Sequence, residues 1–337
     1  DVTILTKSRD ISYAGCGLPY YVGGLIEAED ELVVNTPAQY SALTGVQVFT
    51  GREAIAVDPA AKSVTVRKVD TGEMETHTYD KLVIAAGASP IVPDIEGSKQ
   101  AGVFTLRTPQ DAVALRSWIQ ERGAKRAVVV GGGFIGLETA ENLHKQGLSV
   151  TVIDVAPQVL PGVLDPEMAV YVKKHLLNNG VHVRTSTKAD RLAGTGTVTG
   201  VHTSVGLLPA DVVVLSIGIQ PNTVFLEGTG IEMVKGAIVT DRCMATSLPD
   251  IYAAGDCALV RNRITGTPQH SPMGSSANLE GRTLAQVLTG SDKVYQGVLG
   301  TGVVRLPGLS CGRTGLTEAA ARAAGYDVVS VLVVTDD

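Results

Sequence analysis

The four cysteines, Cys16, Cys243, Cys257 and Cys311, form no CxxC pair, and their spacing fits no zinc template. Four in 337 residues also make no disulfide framework. The six histidines stand at 77, 144, 175, 182, 202 and 270 without an HExxH cluster, so no metal site is expected. No apolar run approaches the roughly 18 residues of a membrane span. The opening Asp-Val-Thr-Ile-Leu has neither the basic nor the apolar region of a signal peptide. Basic residues are the minority: 28 Lys and Arg stand against 34 Asp and Glu, a net charge of −6. That balance matches nucleic acid poorly. A soluble cytoplasmic protein with no nucleic-acid or membrane partner is expected.

What is present points to ordered domains. Hydrophobic residues make up 44 %, enough for real cores. The 38 glycines exceed the average share of about 7 %, so tight turns or close approaches of backbone to ligand should be frequent. The length predicts about two domains.

Residues 2–5 read as a strand, and 46–48, 55–57 and 63–67 as an antiparallel meander. Residues 81–86 (KLVIAA) form a continuous apolar strand, and 111–122 suit a helix with Pro109 near its start. From Ala124 the pattern becomes β-α-β-α-β. Strands are expected at 126–130, 149–153, 181–184 and 211–217, helices at 137–146 and 165–178, and a hairpin at 198–209. Alternation of this kind predicts a parallel sheet. Further on come a strand at 251–254, helices at 274–288 and 318–324, and a strand at 328–334.

The run Val128-Val129-Val130-Gly131-Gly132-Gly133-Phe134-Ile135-Gly136 holds GxGxxG between a strand and a helix, the context that makes this motif meaningful. Gly131 permits the tight turn, Gly133 lets backbone approach a pyrophosphate, and Gly136 lets helix pack on strand. The helix N-terminus supplies amide donors for the phosphates. Asp154 ends the next strand. A carboxylate there accepts from both ribose hydroxyls and repels a 2′-phosphate, which predicts NADH over NADPH.

Cys16 lies in Ser12-Tyr13-Ala14-Gly15-Cys16-Gly17-Leu18-Pro19-Tyr20-Tyr21-Val22-Gly23-Gly24. Pro19 is tolerated in a first helical turn, and a helix N-terminus beside Cys16 would favour its thiolate, the competent nucleophile. Ser12 is placed to hydrogen-bond a sulfur adduct. With no partner cysteine at CxxxxC spacing, the oxidised state must be a sulfenic acid, a persulfide or a mixed disulfide with a small thiol. Cys243, Cys257 and Cys311 read as small core residues.

This segment resembles the single-cysteine active site of the flavoprotein pyridine nucleotide–disulfide oxidoreductases, in particular the coenzyme A-disulfide reductases, NADH oxidases and NADH peroxidases. Residues 82–88 (LVIAAGA) are similar to a flavin-domain loop of the family, with Ala86 where Thr is usual. Leu106-Arg107-Thr108 and 218–222 (GIQPN) resemble the linkers into and out of the NADH domain. Residues 247–258 (SLPDIYAAGDCA) resemble the second FAD motif, with Asp256 at the ribityl position, and 275–282 the helix start near the flavin ring.

The resemblance implies an α/β fold: an FAD domain with an inserted NADH domain, both Rossmann-like, then a C-terminal α+β interface domain, with both chain ends cut. The implied boundaries are 1–105 and 224–290 for FAD, 106–223 for NADH, and 291–337 for an incomplete dimer-interface domain. It assigns Thr6, Lys7, Ala86, Gly87, Arg107, Gly255, Asp256 and Ala277 to FAD. To NADH it assigns Gly131, Gly133, Phe134, Ile135, Gly136, Glu138, Asp154 and Gly218. Cys16 and Ser12 are the implied catalytic pair, and Ser12 and Asn278 the implied substrate contacts. Two readings of Phe134 stay open, a cover over the nicotinamide pocket or a packing residue. For Glu138 they are an acid at the nicotinamide or an exposed helix carboxylate. Thr6 stands where the family commonly has an acid, and Gly15 where coenzyme A-disulfide reductases often have Asn.

The expected activity passes electrons from NADH through FAD to Cys16, which reduces coenzyme A disulfide or a related persulfide or polysulfide. A homodimer is implied by the resemblance alone. A second reading takes Cys16 through sulfenic acid, as an NADH oxidase or peroxidase acting on oxygen or peroxide. A third is a non-catalytic, NADH-binding redox sensor.

Overall fold

The computed structural model describes residues 1–334. Its centre is a five-stranded, all-parallel sheet in the order Val103–Phe104, Val212–Leu215, Arg126–Val130, Ser149–Ile153, Val181–Arg184. Val212–Leu215 is buried throughout and Arg126–Val130 from Ala127 on, as their unbroken apolar runs demand of strands covered on both faces. The helices Pro109–Arg122, Phe134–Lys145 and Pro166–Asn178 contribute Leu115, Leu137, Leu143, Val172 and Leu176 to the core beside the sheet. Each such side chain contributes roughly 1.5–3 kcal/mol by leaving water.

Local signals fix the helix ends. Thr108 accepts from the Asp111 N–H at 3.2 Å, and Asp111 accepts from the Thr108 N–H at 2.9 Å, a reciprocal cap with Pro109 in the first turn. The predicted helix 137–146 begins earlier, at Phe134. Gly133 is its N-cap, and Gly136, read as part of the turn, lies inside the first helical turn.

A second unit is built around Val57, Val66, Ile84, Ile238, Ile251 and Cys257. Leu82–Ile84 runs parallel to Ile251–Ala253. The strands Arg52–Asp58, Ser63–Lys68 and Met74–Thr78 form an antiparallel meander. The expected first member of that meander belongs elsewhere, because Gln47–Phe49 pairs in parallel with Thr3–Leu5. Two crossings join the units, and Ala88–Pro90 meets Ile219–Pro221 antiparallel between them.

The hairpin of Gly302–Leu306 and Leu309–Arg313 sends Val304, Leu306 and Cys311 into the core that holds Leu137 and Val129. The predicted strand 328–334 is absent. Val329 and Val334 are 88 % and 87 % exposed, and no described strand lies beside the segment to accept its backbone hydrogen bonds.

Candidate functional site

The dinucleotide loop is shaped by contacts that forbid side chains. Gly131 has φ +114°, and a Cβ there would lie 2.1 Å from the Ser216 carbonyl oxygen. A Cβ on Gly136 would stand 2.0 Å from the Gly131 carbonyl oxygen. A Cβ on Gly133 would meet nothing within 4 Å. The loop is thus closed beneath and open above its helix N-terminus, where the first N–H groups have no intrahelical acceptor. Such a cradle fits a pyrophosphate. Asp154 accepts from the Gly132 N–H and the Ala156 N–H, both at 2.7 Å, so its carboxylate is held at the rim of the loop. Ile135 is 43 % exposed beside the open face. The Phe134 ring lies against Gly302 and the main core, which is the packing arrangement of the two readings left open for it.

Cys16 is exposed, in a 3-10 turn (Gly15–Gly17) that runs into the helix Leu18–Val22, with Pro19 in its first turn. Ser12 lies on the preceding strand, paired with Asn35. The short helix is clamped from behind. Arg116 Nη1 donates to the carbonyls of Tyr21, Ile26 and Glu27 at 3.0–3.2 Å, and its guanidinium stacks 4.6 Å from the Tyr21 ring centroid. On the other side the Tyr20 hydroxyl reaches Glu138 Oε1 at 3.4 Å. Glu138 is therefore neither isolated nor fully exposed. Burial raises its pKa, against the Arg305 N–H and the Tyr20 hydroxyl, which lower it.

A second constellation gathers residues far apart in sequence. Arg107 donates to the Ala88 carbonyl and to Asp256 Oδ2, both at 3.0 Å. A Cβ on Gly87 would lie 3.3 Å from the Arg107 guanidinium, and one on Gly255 3.6 Å from Ala277. Asn222, in the loop opened by Gly218, donates to the Ala86 carbonyl at 2.9 Å and accepts from the Asn222-facing hydroxyl of Ser89 at 2.7 Å. Gly87, Arg107, Gly255, Asp256 and Ala277 thus converge, as expected of one binding surface. A cation, a carboxylate and glycine-lined backbone fit the polyol and phosphates of a flavin dinucleotide. Thr6 and Lys7 make their contacts elsewhere: the Thr6 N–H donates to the Phe49 carbonyl, and Lys7 pairs with Glu53 at 2.8 Å. Asn278 is exposed on the helix Gly274–Leu288.

Of the other cysteines, Cys257 and Cys311 are buried as expected, whereas Cys243 is only half-buried. Burial pushes the Cys257 thiol up to about 11. Among the described residues no group of three or more His, Cys, Asp or Glu could hold a metal, and no helix is long and apolar enough to cross a membrane.

Sequence reasoning assigned no role to Arg116, Tyr20 or Glu280. Glu280 is 1 % exposed and accepts from the Gly255 N–H at 2.6 Å. A lone acid in the small-residue helix 274–288 was the signal available for it.

The chain is similar to known proteins in sequence and in fold. A sequence model for the pyridine nucleotide-disulphide oxidoreductases matches residues 1–277. An NADH oxidase of Methanocaldococcus jannaschii is 37 % identical over 317 residues, covering 94 % of this chain and 70 % of that protein. An NAD(P)H coenzyme A polysulfide/persulfide reductase of Pyrococcus horikoshii is 35 % identical over 334 residues, covering 99 % and 74 %. The structure of an NAD-dependent persulfide reductase from A. fulgidus superposes with a TM-score of 0.93 at 38 % identity, over 97 % of this chain and 61 % of that one. The chain therefore spans about six-tenths of the length of that structure.

Proposed function

The chain belongs to the pyridine nucleotide-disulphide oxidoreductase family, and from that premise we propose that it is the core of an NADH-dependent flavoprotein that reduces a small disulfide, persulfide or polysulfide at Cys16. The observation that carries this reading is the exposed Cys16 on a turn whose helix is bonded through Tyr20 to the helix of the dinucleotide loop. The names of the P. horikoshii and A. fulgidus relatives support a persulfide or coenzyme A-linked acceptor.

NADH and FAD, when bound, supply a hydride donor and a carrier of electron pairs. The residues of the chain bind and orient them. Gly131, Gly133, Phe134, Ile135 and Gly136 receive the NADH pyrophosphate end, Asp154 its ribose, and Glu138 and Gly218 flank its nicotinamide side. Gly87, Arg107, Gly255, Asp256 and Ala277 hold the flavin, with Thr6, Lys7 and Ala86 around its remainder. The Cys16 thiolate attacks one sulfur of a disulfide, or the outer sulfur of a persulfide, breaking the S–S bond and expelling the other sulfur as a thiolate. The resulting mixed disulfide or Cys16 persulfide lies beside Ser12. Two electrons passed on from NADH would cleave it, releasing thiol or sulfide and restoring the Cys16 thiolate. Residues 106–223, with Val103–Phe104 as the edge strand of their sheet, are the NADH-binding unit, and the rest of 1–105 with 224–290 the flavin unit. Asn278 faces the acceptor, a soluble small molecule in the cytoplasm. Coenzyme A is the favoured carrier and a homodimer the favoured assembly.

The test is anaerobic NADH consumption by the flavin-loaded full-length protein with coenzyme A disulfide or a persulfide as sole acceptor. Turnover lost in Cys16→Ser, with flavin reduction retained, is the expected result. Full turnover in that variant overturns it. The name of the M. jannaschii relative favours a second reading, an oxidase with Cys16 cycling through sulfenic acid. It requires fast NADH consumption with oxygen and no thiol acceptor.

A further inference from the structure

The mechanism above makes no use of the most deeply buried carboxyl near the flavin constellation. Glu280 is 1 % exposed, and among the described residues its side-chain hydrogen bond is the one it accepts from the Gly255 N–H at 2.6 Å. Gly255 immediately precedes Asp256, whose own carboxylate is already committed to Arg107 at 3.0 Å. Among the described residues no lysine or arginine pairs with Glu280. Of the groups facing it, Asp256 acts on it through its negative charge, and the buried Tyr295 phenol feels the charge of Glu280 in turn. His270 reaches the same turn from the strand Pro268–His270 and donates through Nε2 to the Asp256 carbonyl at 2.7 Å. An ionised Glu280 would thus add a buried negative charge beside the half-buried Asp256, with no cation of its own among the described residues to offset it.

We propose that Glu280 is a positioning residue that makes flavin retention depend on pH. Its carboxyl accepts from the Gly255 N–H in either state and so supports the Gly255–Asp256 turn, and its ionised form adds a negative charge that opposes the anionic dinucleotide on that turn. The proposal rests on the flavin-binding reading given above and adds to it a proton that accompanies the cofactor. By linkage, flavin binding at a pH where free Glu280 is partly ionised takes up a proton, and affinity falls as pH rises. Burial lifts the Glu280 pKa to about 7 against the Gly255 N–H, which lowers it, with the Asp256 charge raising it a little further, so the effect falls in the neutral range. Arg107 limits it by neutralising Asp256, which leaves Glu280 as the uncompensated charge.

The experiment measures the FAD dissociation constant of the full-length protein between pH 6 and 8.5 by flavin fluorescence, with proton uptake on FAD addition followed in weak buffer. Wild type should weaken roughly fivefold or more over the range and take up a fraction of a proton near pH 7.5. Glu280→Gln, which keeps an acceptor for Gly255, should bind with little pH dependence. His270→Gln tests the imidazole bonded to the turn and should retain the wild-type slope. A flat wild-type profile with no proton uptake overturns the proposal while leaving flavin binding intact. An unchanged slope in Glu280→Gln, or its loss in His270→Gln, also overturns it. Failure of wild type to bind FAD at any pH overturns the flavin reading and the proposal together. Absence of proton uptake by the wild-type protein overturns the proposal even if a variant does not fold.

Discussion

The Tyr20 hydroxyl donates to Glu138 Oε1 at 3.4 Å across 118 residues of sequence, tying the helix that follows Cys16 to the helix that opens on the dinucleotide loop. Burial raises the pKa of both groups, and the charge of Glu138 raises that of Tyr20 further. The contact joins the proposed nucleotide side to the proposed sulfur side without passing through the main sheet.

Tyr20→Phe removes that hydroxyl and little else. A long, half-buried hydrogen bond is worth about 1 kcal/mol or less, so the denaturant midpoint should move only slightly. The apparent NADH affinity should weaken severalfold, because Glu138 loses one of the two donors that fix it. Calorimetric titration with NADH checks this, and an unchanged affinity would remove Tyr20 from the nucleotide site.

Gly131→Ala sets a methyl group 2.1 Å from the Ser216 carbonyl at φ +114°. Backbone must move, which should cost about 1–3 kcal/mol and displace the amides of the loop. NADH binding should be lost at concentrations that saturate wild type. Gly133→Ala meets open space in the free protein, so it should leave stability intact while still weakening NADH. A Gly133 variant that binds normally would contradict the assignment of that open space to the pyrophosphate.

At pH 8 iodoacetamide should label Cys16 well ahead of Cys257. Cys16 is exposed, whereas Cys257 is buried and its thiol is pushed up to about 11. Peptide mapping after brief alkylation reads this directly. NADH-dependent turnover should fall in step with modification of Cys16.

The sign of the Glu280 effect on stability follows from its raised carboxyl, about 7 against an ordinary 4.5. Its contribution is fully present below about pH 4.5 and is lost as pH rises through 7. The span corresponds to about 3 kcal/mol at most. Urea unfolding at pH 5 and pH 8 should show that loss in the wild-type chain and a smaller one in Glu280→Gln, with the variant the more stable at pH 8. Equal losses in both would show that Glu280 does not titrate in this range.

The parts legible from sequence were those with local signals. The loop at 131–136 declares itself because strand, glycines and helix follow one another, and the acid at 154 comes at the end of the next strand. The Thr108 cap and Pro109 mark their helix in the same way. Pairing partners distant in sequence carry no such mark. Thr3–Leu5 and Gln47–Phe49 lie more than 40 residues apart, so the second was read with its neighbours as an antiparallel meander. The valines of 328–334 express strand propensity, but propensity without an adjacent strand leaves backbone groups to water. Arg116 reads as an ordinary helix-surface charge until its three carbonyl partners, 89–95 residues away, are seen. Glu280 carries no signal beyond being the lone acid of its helix, and only tertiary packing makes it a buried one.

The hairpin 302–313 bears on how proteins of this kind can be recombined. Val304, Leu306 and Cys311 complete a core whose other wall is the helix Phe134–Lys145, and Arg305 bonds Glu138 through its backbone. The C-terminal segment is therefore no exchangeable cassette. A chimera joined near residue 298 would set a foreign hairpin against native Leu137 and Leu143. It would inherit either a void or a clash unless the facing helix came from the same parent. The hairpin 302–313 and the helix Phe134–Lys145 must therefore vary together.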